Sequence, residues 1–161
     1  MHALQFQSVF NTYGPRLKVN DGRVISNFIT QALCGEPLTV YGDGSQTRSF
    51  CYISDQIEGI LRLAISDEHS PVNIGNPDEF TILECARKVI EITVSRSTIE
   101  FRPRRQDDAK HRCRDITKAL RLLGWKPIVT LERGVRLSLD YFHAAVGPRP
   151  RPWASMTLSS H

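Results

Sequence analysis

The sequence predicts an α/β fold, and two observations lead to this prediction. Segments with apolar residues at helical spacing alternate along the chain with short segments of strand character. The predicted strands are few and short, which indicates a small lobe of 161 residues more than a complete doubly wound sheet. A hydrophobic content of 40% with 8% aromatic residues is typical of a soluble globular protein.

The chain is predicted to begin with a strand and a helix. The strand covers about residues 5–11. Apolar residues then recur at helical spacing from Val24 to Leu33, and Gly35 and Pro37 end that helix.

A strand–turn–strand segment and a second helix are expected next. Residues 38–41 alternate as a strand, a glycine-containing turn follows, and residues 47–52 return as one strand. The second helix is predicted over residues 55–66, opening at Ser54 or Asp55, with its apolar residues on one face. That face consists of Ile57, Ile60, Leu61, Ala64 and Ile65.

The middle of the chain is predicted to contain two short strands around a third helix. Residues 71–75 form a short buried strand. Thr81 and Glu84 match a capping box, in which each side chain satisfies a backbone N–H of the first turn, and the helix runs to about Thr93. Residues 99–101 form another strand.

Two helices are expected to complete the fold after a polar loop over residues 102–114. Asp115 is the expected N-cap of a short helix that Gly124 ends, and Thr130 caps a last helix that ends near Ala145. The unit is expected to comprise residues 1–146. Residues 147–161 have too little apolar content to pack and are expected to be disordered.

Charge and cysteine usage exclude several classes of protein. The 21 basic and 17 acidic residues give a net charge of +4, which suits an anionic ligand without by itself indicating nucleic acid. The apolar runs are too short to span a bilayer and the N-terminus lacks a secretory pattern, so we expect a cytoplasmic protein with no membrane contact. The four cysteines are widely spaced, which argues against a disulfide framework or a metal site. Cys34 and Cys85 are expected to be small buried thiols.

Two side chains of the strand–turn–strand segment could bind a ligand. Arg48 follows a glycine turn between strand residues, where a rigid guanidinium suits bidentate capture of a phosphate. The alternative is a surface arginine paired with Asp43 or Asp55. Tyr41 could stack its ring on a planar base, or it could belong to the core.

The loop over residues 102–115 is rich in charge. It holds five arginines, one lysine and three aspartates, so a solvated loop is its simplest interpretation. A diphosphate needs cations that converge from separate segments, and Arg48 with one arginine of this loop could supply them.

Seven motifs of the sequence carry a family resemblance: FNTYGPR at 10–16, NDGRVISNF at 20–28, GEPLTVYG at 35–42, SQTR at 45–48, PVNIGNP at 71–77, QDD at 106–108 and LGWKP at 123–127. Together they resemble the UDP-glucuronate decarboxylases, a branch of the extended short-chain dehydrogenase/reductase family of nucleotide-sugar enzymes. The resemblance covers residues 9 to about 143. It implies a partial NAD-binding Rossmann-type fold, mainly the small C-terminal substrate-binding lobe, with residues 1–16 as the remnant of the NAD domain.

The resemblance also implies roles for individual residues. The family positions that contact NAD are matched by Thr12, Lys18 and Arg23. Lys18 stands where many members have histidine. The residues that match the lining of the uridine and sugar pocket are Asn11, Asn27, Phe28, Thr39 and Tyr41. Arg48 and Arg112 match the arginines that grip the diphosphate and the sugar end. Ala109 and Arg114 depart from the family, where prolines are usual.

The family's reaction, as the resemblance implies it, converts UDP-glucuronate to UDP-xylose and carbon dioxide. Bound NAD oxidises the sugar 4-hydroxyl, the β-keto acid loses carbon dioxide, and NADH reduces the ketone. The expected partner is therefore a UDP-sugar, and a homodimer is expected for the full-length family.

The sequence contains neither the glycine-rich NAD motif nor the family's Tyr-x-x-x-Lys pair. No catalytic residue is therefore predicted, and the chain by itself is expected to be inactive, because loss of a general base typically costs ~10²–10⁴-fold in rate. An inert nucleotide-sugar-binding or interaction module is the second interpretation. A basic nucleic-acid-binding domain is the third, although the arginine loop has no interleaved aromatic residues for stacking bases.

Overall fold

A computed structural model describes residues 11–19, 21–103 and 115–147 of the chain. The described residues form six strands and five helices. In chain order they are β1 (Thr12–Tyr13), α1 (Val24–Cys34), β2 (Leu38–Tyr41), β3 (Thr47–Ser49), β4 (Cys51–Tyr52), α2 (Ile53–Ala64), β5 (Glu79–Thr81), α3 (Ile82–Ile92), β6 (Ile99–Arg102), α4 (Thr117–Leu123) and α5 (Leu131–Val146). The α/β class predicted from the sequence is confirmed.

The strands of the described residues form three separate pairs. β1 lies parallel to β4, β2 lies parallel to β6, and β3 lies antiparallel to β5. The registers are Thr12 opposite Cys51, Leu38 opposite Ile99, and Arg48 opposite Phe80. Because each pair is short, packing against helices supplies most of its stability.

The larger hydrophobic core lies among α1, α3, α5 and the inner face of β2. Its fully buried members include Ile29, Leu38, Val40, Val89 and Val135. A smaller, separate core forms beside α2 and α4. It consists of Leu63, Val72, Ile74, Ala119 and Trp125.

Helix termini follow the sequence closely because their signals are local. α1 ends at Gly35, whose φ of 73° is the left-handed conformation that glycine adopts without strain. Thr81 and Glu84 form the predicted capping box, with the Glu84 N–H donating to Thr81 Oγ1 over 3.1 Å. Thr130 Oγ1 likewise accepts from the N–H of Arg133 at the start of α5.

The prediction of one strand over residues 47–52 is wrong. The structure has two short strands, β3 and β4, separated at Phe50, which is 3% exposed. The chain changes partners at this point, because β3 pairs antiparallel with β5 whereas β4 pairs parallel with β1. One continuous strand cannot serve both pairs.

The prediction of a strand over residues 71–75 is also wrong. Val72 and Ile74 are buried as expected, but only Val72 makes an isolated bridge. The strand of this region is β5, which lies next to α3 and was not predicted. Burial in the smaller core, rather than strand pairing, explains the apolar pattern of these residues.

Helix α2 differs from its prediction in its first residue and in its buried face. It begins at Ile53 rather than at Ser54 or Asp55, so Asp55 lies within the first turn. Its buried residues are Asp55, Gln56, Gly59 and Leu63. Of the predicted apolar face, Ile57, Leu61 and Ile65 are 49%, 58% and 86% exposed.

Two smaller corrections concern α4 and Cys34. Helix α4 begins at Thr117, and the Asp115 carboxylate accepts from the Thr117 N–H over 2.8 Å, so Asp115 caps the first turn from one position earlier than an N-cap. Cys85 is buried as predicted, but Cys34 is exposed because it ends α1 on the solvent side. The predicted first strand over about residues 5–11, except Asn11, lies outside the described residues, as do most of the charged loop and the tail beyond Gly147.

Candidate functional site

A reciprocal pair of hydrogen bonds joins α1 to the outer face of β2. Gln31 Nε2 donates to Thr39 Oγ1 over 3.0 Å, and the Thr39 N–H donates back to Gln31 Oε1 over 3.1 Å. Thr39 and Tyr41 share this face, because side chains alternate along a strand and Leu38 and Val40 are fully buried on the other face. The pair fixes the wall on which two of the predicted pocket residues stand.

Asn27 lies one helical turn before Gln31, so both side chains are on the same side of α1. Asn27 Oδ1 is buried and accepts no hydrogen bond within the described residues. An unsatisfied buried acceptor costs about 1–3 kcal/mol, a cost that a donor from a bound molecule would remove. This orphaned oxygen is the observation in the described structure that most directly indicates a ligand.

Arg48 is buried on β3, with 7% of its surface exposed. Its Nη1 donates to the carbonyl oxygen of Thr47 over 2.6 Å. The surface position of the alternative interpretation is therefore wrong. A guanidinium that the fold holds in one place suits bidentate binding of a phosphate.

Gln46 connects the Arg48 strand to the Tyr41 strand. Its Nε2 donates to the Tyr41 carbonyl over 2.8 Å, and only 6% of the residue is exposed. The turn between them is tight, since a Cβ at Gly44 would lie 2.9 Å from Val40 Cγ1. Sequence reasoning missed both Gln31 and Gln46. The sequence features that could have indicated them are the amide side chain four residues after Asn27 and the amide side chain two residues before Arg48.

Two of the three residues predicted to contact NAD meet in the structure. Arg23 Nη1 donates to the Thr12 carbonyl over 3.2 Å, and Arg23 Nε pairs with Asp21 over 3.3 Å. Lys18 is exposed on the loop between β1 and α1, with no hydrogen bond or ion pair recorded to Thr12 or Arg23. Asn11 has a φ of 57°, and its carbonyl accepts from the Cys51 N–H.

Gln56 is a buried connector beneath Thr12. Gln56 Oε1 accepts from Thr12 Oγ1 over 3.5 Å, and Gln56 Nε2 donates to the Ile74 carbonyl over 3.2 Å. The side chain therefore links β1, α2 and the segment around Ile74. Sequence reasoning missed it, because a polar residue inside a helix gives no local sign that it is buried.

The residues implied for NAD fit that group only at one edge. Thr12 and Arg23 place a backbone carbonyl and a partly exposed cation side by side, which suits contact with a sugar hydroxyl or a phosphate. The glycine-rich turn that cradles a diphosphate is absent from the sequence. Thr12 and Arg23 could therefore contact part of a bound dinucleotide, but they could not bind it without the missing glycine-rich turn.

The buried tyrosines are poorly suited to proton transfer. The Tyr13 hydroxyl donates to the Leu131 carbonyl over 3.2 Å, and burial raises its pKa. Burial also raises the pKa of Tyr52. Cys51 lies beside them, and burial, with the nearby Asp55 carboxylate, raises the pKa of its thiol to about 12. All three groups therefore stay protonated near neutral pH.

The remaining predicted pocket residues have different positions. Phe28 is 2% exposed and packs in the larger core. Arg112 lies outside the described residues. Tyr41 is half-buried and stands outside both cores. Among the described residues, Gln31 thus joins α1 to Thr39, and Gln46, two residues before Arg48, bonds to the backbone of Tyr41.

The described residues contain neither a cluster of metal ligands nor a membrane-spanning helix. Within residues 11–19, 21–103 and 115–147, no three His, Cys, Asp or Glu side chains gather where they could hold a metal ion. None of the helices in that part of the chain is long and apolar enough to cross a membrane.

Comparison with known proteins gives consistent matches. The family model described as GDP-mannose 4,6 dehydratase matches residues 1–138. UDP-glucuronic acid decarboxylase 1 of Danio rerio is 55% identical over 134 residues, which are 83% of this chain and 32% of that protein. UDP-glucuronic acid decarboxylase 4 of Arabidopsis thaliana is 51% identical over 152 residues, which are 94% of this chain and 34% of that protein. The chain spans about a third of the length of these curated relatives.

Solved structures match the fold as well. The UDP-glucose 4-epimerase of Thermotoga maritima, solved with UDP-glucose, has a TM-score of 0.78 at 32% identity and covers 82% of this chain and 43% of its own. The UDP-glucuronic acid 4-epimerase of Bacillus cereus, solved with UDP-glucuronic acid and NAD, has a TM-score of 0.75 at 32% identity, over 82% and 42% of the two chains.

Proposed function

The chain belongs to the GDP-mannose 4,6 dehydratase family, and from this membership we propose that it forms the nucleotide-sugar-binding part of a UDP-glucuronate decarboxylase. The observation that carries the proposal is the identity of 55% and 51% with two curated decarboxylases, compared with 32% with the solved epimerases. The ligand we propose is UDP-glucuronate. The full-length protein is proposed to act as a homodimer.

Three described side chains would bind this ligand. The guanidinium of Arg48, held in the fold with 7% of the residue exposed, would face the diphosphate and bind it in a bidentate manner, with Arg112 as a second cation. Asn27 Oδ1 would accept a hydrogen bond from the ligand and so gain the partner it lacks. The Tyr41 ring, half-buried at the end of β2, would stack on the uracil.

Thr12, Lys18 and Arg23 are proposed to contact NAD. When bound, NAD would accept a hydride from the sugar and later return it. The contribution of this chain is to hold the sugar and the diphosphate in place and to exclude water from them. Because the glycine-rich motif and the tyrosine–lysine pair are absent from this sequence, we propose that the chain by itself binds but does not turn over substrate.

Calorimetric titration with UDP and with UDP-glucuronate tests the binding proposal. Asn27→Ala should weaken binding about tenfold, the equivalent of one lost buried hydrogen bond. It should not lower the melting temperature, because Asn27 Oδ1 has no partner to lose and its removal relieves an unsatisfied buried acceptor. Arg136→Ala, on the exposed side of α5, is the matched control and should bind as the unchanged chain does. Absence of heat with millimolar ligand would refute the proposal.

A non-catalytic nucleotide-sugar-binding module is the second candidate, and the missing tyrosine–lysine pair favours it. The two candidate functions predict different results for a chimera in which this chain replaces the matching third of the Danio rerio decarboxylase. Formation of UDP-xylose by this chimera with NAD supports a decarboxylase part. Binding of UDP-glucuronate without UDP-xylose formation supports the inert module. UDP-xylose formation by the chain itself would contradict the proposed inactivity.

A further inference from the structure

The partners of the Gln31 side chain allow its amide only one orientation. The Thr39 N–H donates to Gln31 Oε1 over 3.1 Å, and because a backbone N–H can only donate, the atom that faces it is the amide oxygen. The amide nitrogen Nε2 then faces Thr39 Oγ1 and donates to it over 3.0 Å. The reciprocal pair therefore fixes the polarity of the Thr39 hydroxyl as well as its position.

The hydrogen of the Thr39 hydroxyl points away from Gln31, because an amide nitrogen cannot accept a hydrogen bond. Glu100 stands directly opposite Thr39 on β6, and its carboxylate is a candidate acceptor for this hydrogen. Both oxygens of that carboxylate instead accept from Arg102, over 3.1 and 3.4 Å. Among the described residues the Thr39 hydroxyl donates to no acceptor. The outer face of β2 therefore presents an O–H donor at Thr39.

The course of the chain indicates which part of a ligand would meet this donor. Tyr41, whose ring would stack on the uracil, ends β2 and shares its outer face with Thr39. The segment that carries Arg48 leaves β2 from the Tyr41 end, through a turn that Gln46 ties to the Tyr41 carbonyl. A ligand with its diphosphate at Arg48 and its base on Tyr41 would reach Thr39 with the edge of the base that is remote from the sugar. In uracil that edge carries the O4 carbonyl oxygen, an acceptor, whereas in cytosine it carries an amino group, a donor.

We propose that Gln31 is a positioning residue that determines base specificity. By donating to Thr39 Oγ1, it holds the Thr39 hydroxyl as a donor toward the ligand, and this donor favours uracil over cytosine. The role rests on the proposed function, because it concerns the base of the same UDP-sugar. A cytosine at this position would leave the Thr39 donor and its own amino group facing each other without an acceptor, which makes its binding unfavourable.

Calorimetric titration of the chain with UDP and with CDP tests the proposal, and the readout is the ratio of the CDP dissociation constant to the UDP dissociation constant. Because the two ligands carry the same charge, a change in the charge of the chain cancels in this ratio. In the unchanged chain the ratio should be at least about ten, the discrimination that one good polar contact to a base edge provides.

The presence of the hydroxyl is tested with two variants of Thr39. Thr39→Val has the same shape without the hydroxyl and should lower the ratio about tenfold. Thr39→Ser keeps the hydroxyl and should preserve the ratio. Arg136→Ala, on the exposed side of α5, is the control and should also leave the ratio unchanged. A purely structural role of Thr39 would weaken the binding of both nucleotides equally and would not move the ratio.

The polarity of the hydroxyl is tested with Gln31→Glu. At about pH 7.5 the new side chain is a carboxylate, which has no donor and accepts from both the N–H and the hydroxyl of Thr39. The hydroxyl hydrogen then turns inward and leaves only lone pairs toward the ligand, to which the cytosine amino group can donate. The ratio should therefore fall at least about tenfold, to equal binding or to a preference for CDP.

The possible results separate this role from the proposed function. An unchanged ratio in Gln31→Glu, while the original chain binds UDP, would overturn the role of Gln31 and leave the proposed function standing. Equal ratios for Thr39→Val and Thr39→Ser would overturn it even if Gln31→Glu does not fold, because the hydroxyl would then not contact the base. Absence of UDP binding by the original chain would refute the proposed function, and the role of Gln31 with it.

Discussion

The backbone of Gly59 lies directly against the indole of Trp125. A Cβ at Gly59 would be 2.8 Å from Trp125 Cε2 and 2.4 Å from Ile74 Cγ2, closer than carbon atoms approach without a shift of the structure. Trp125 is also held by its indole N–H, which donates to the Asp55 carbonyl over 3.1 Å. The inner face of α2 therefore packs against the smaller core so closely at Gly59 that the structure leaves no room there for a Cβ atom.

Gly59→Ala should destabilise the chain by about 1–3 kcal/mol, because the methyl group overpacks the smaller core. The gain in helix propensity of roughly 1 kcal/mol offsets only part of this cost. Urea unfolding followed by circular dichroism measures the change. Ser54→Ala, exposed in the same helix, is the control and should change stability by less than about 0.5 kcal/mol. A Gly59→Ala chain more stable than the original would contradict the packing described here.

Asp55→Ala should cost about 1–3 kcal/mol, because it leaves the buried N–H of Val129 and the partly buried N–H of Ile128 without their acceptor. Asp55→Asn keeps one acceptor oxygen and should cost clearly less. The comparison of the two variants by chemical unfolding separates the lost hydrogen bonds from the lost charge. Equal costs for both would show that the negative charge, and not the acceptor, holds the segment.

Val94→Gly should stabilise the chain by about 0.5 kcal/mol. Val94 has a φ of 49° and is 88% exposed, so a β-branched side chain stands in a left-handed conformation with no packing to compensate. The C-terminal bonds of α3, from the N–H groups of Val94 and Ser95 to the carbonyls of Glu91 and Ile90, do not need the side chain. A rise in melting temperature checks the prediction. Val94→Ala retains a Cβ in the same conformation and should gain less.

Glu132→Gln should destabilise the chain near neutral pH but not in acid. The hydrogen bond to Lys88 lowers the pKa of Glu132 below 4.5 and raises the pKa of Lys88 above 10.5. The contribution of Glu132 is therefore present above pH 4.5 and is lost as the pH falls through its lowered pKa. The Glu132 side chain is 41% exposed, so solvent screening limits the effect to about 0.5 kcal/mol.

Thermal melts of the original and Glu132→Gln chains at a series of pH values measure this difference. The two curves should converge as the pH falls below the lowered pKa of Glu132. On the alkaline side the Lys88 contribution persists below pH 10.5 and is lost as the pH rises through its raised pKa. A difference that persists unchanged into acid would exclude the ion pair as its source.

Features encoded within a few residues could be predicted from the sequence. The capping box of Thr81 and Glu84, the Thr130 cap and the end of α1 at Gly35 each depend on neighbours one helical turn away. Residues 38–41 were likewise predicted as a strand from their alternation, and β2 has those bounds.

Features that depend on distant partners could not be predicted. The division of residues 47–52 follows from two different partner strands, and nothing within the segment encodes that change. The carboxylate of Asp55 accepts hydrogen bonds from Ile128 and Val129, about seventy residues away, and its position near a helix start gives no sign of these partners. In the candidate site Arg48 and Asn27 were predicted, whereas Gln31 and Gln46 matter only because the fold brings α1, β2 and β3 together.

The two separate cores have an optical consequence. Trp125 is 1% exposed and belongs to the smaller core, while the larger core contains tyrosine and phenylalanine but no tryptophan. With Trp153 replaced by phenylalanine, the emission of Trp125 would report the state of the smaller core, and the far-ultraviolet ellipticity of α1, α3 and α5 would report mainly the larger one. Transitions in the two signals at different temperatures would resolve two steps of unfolding in one sample.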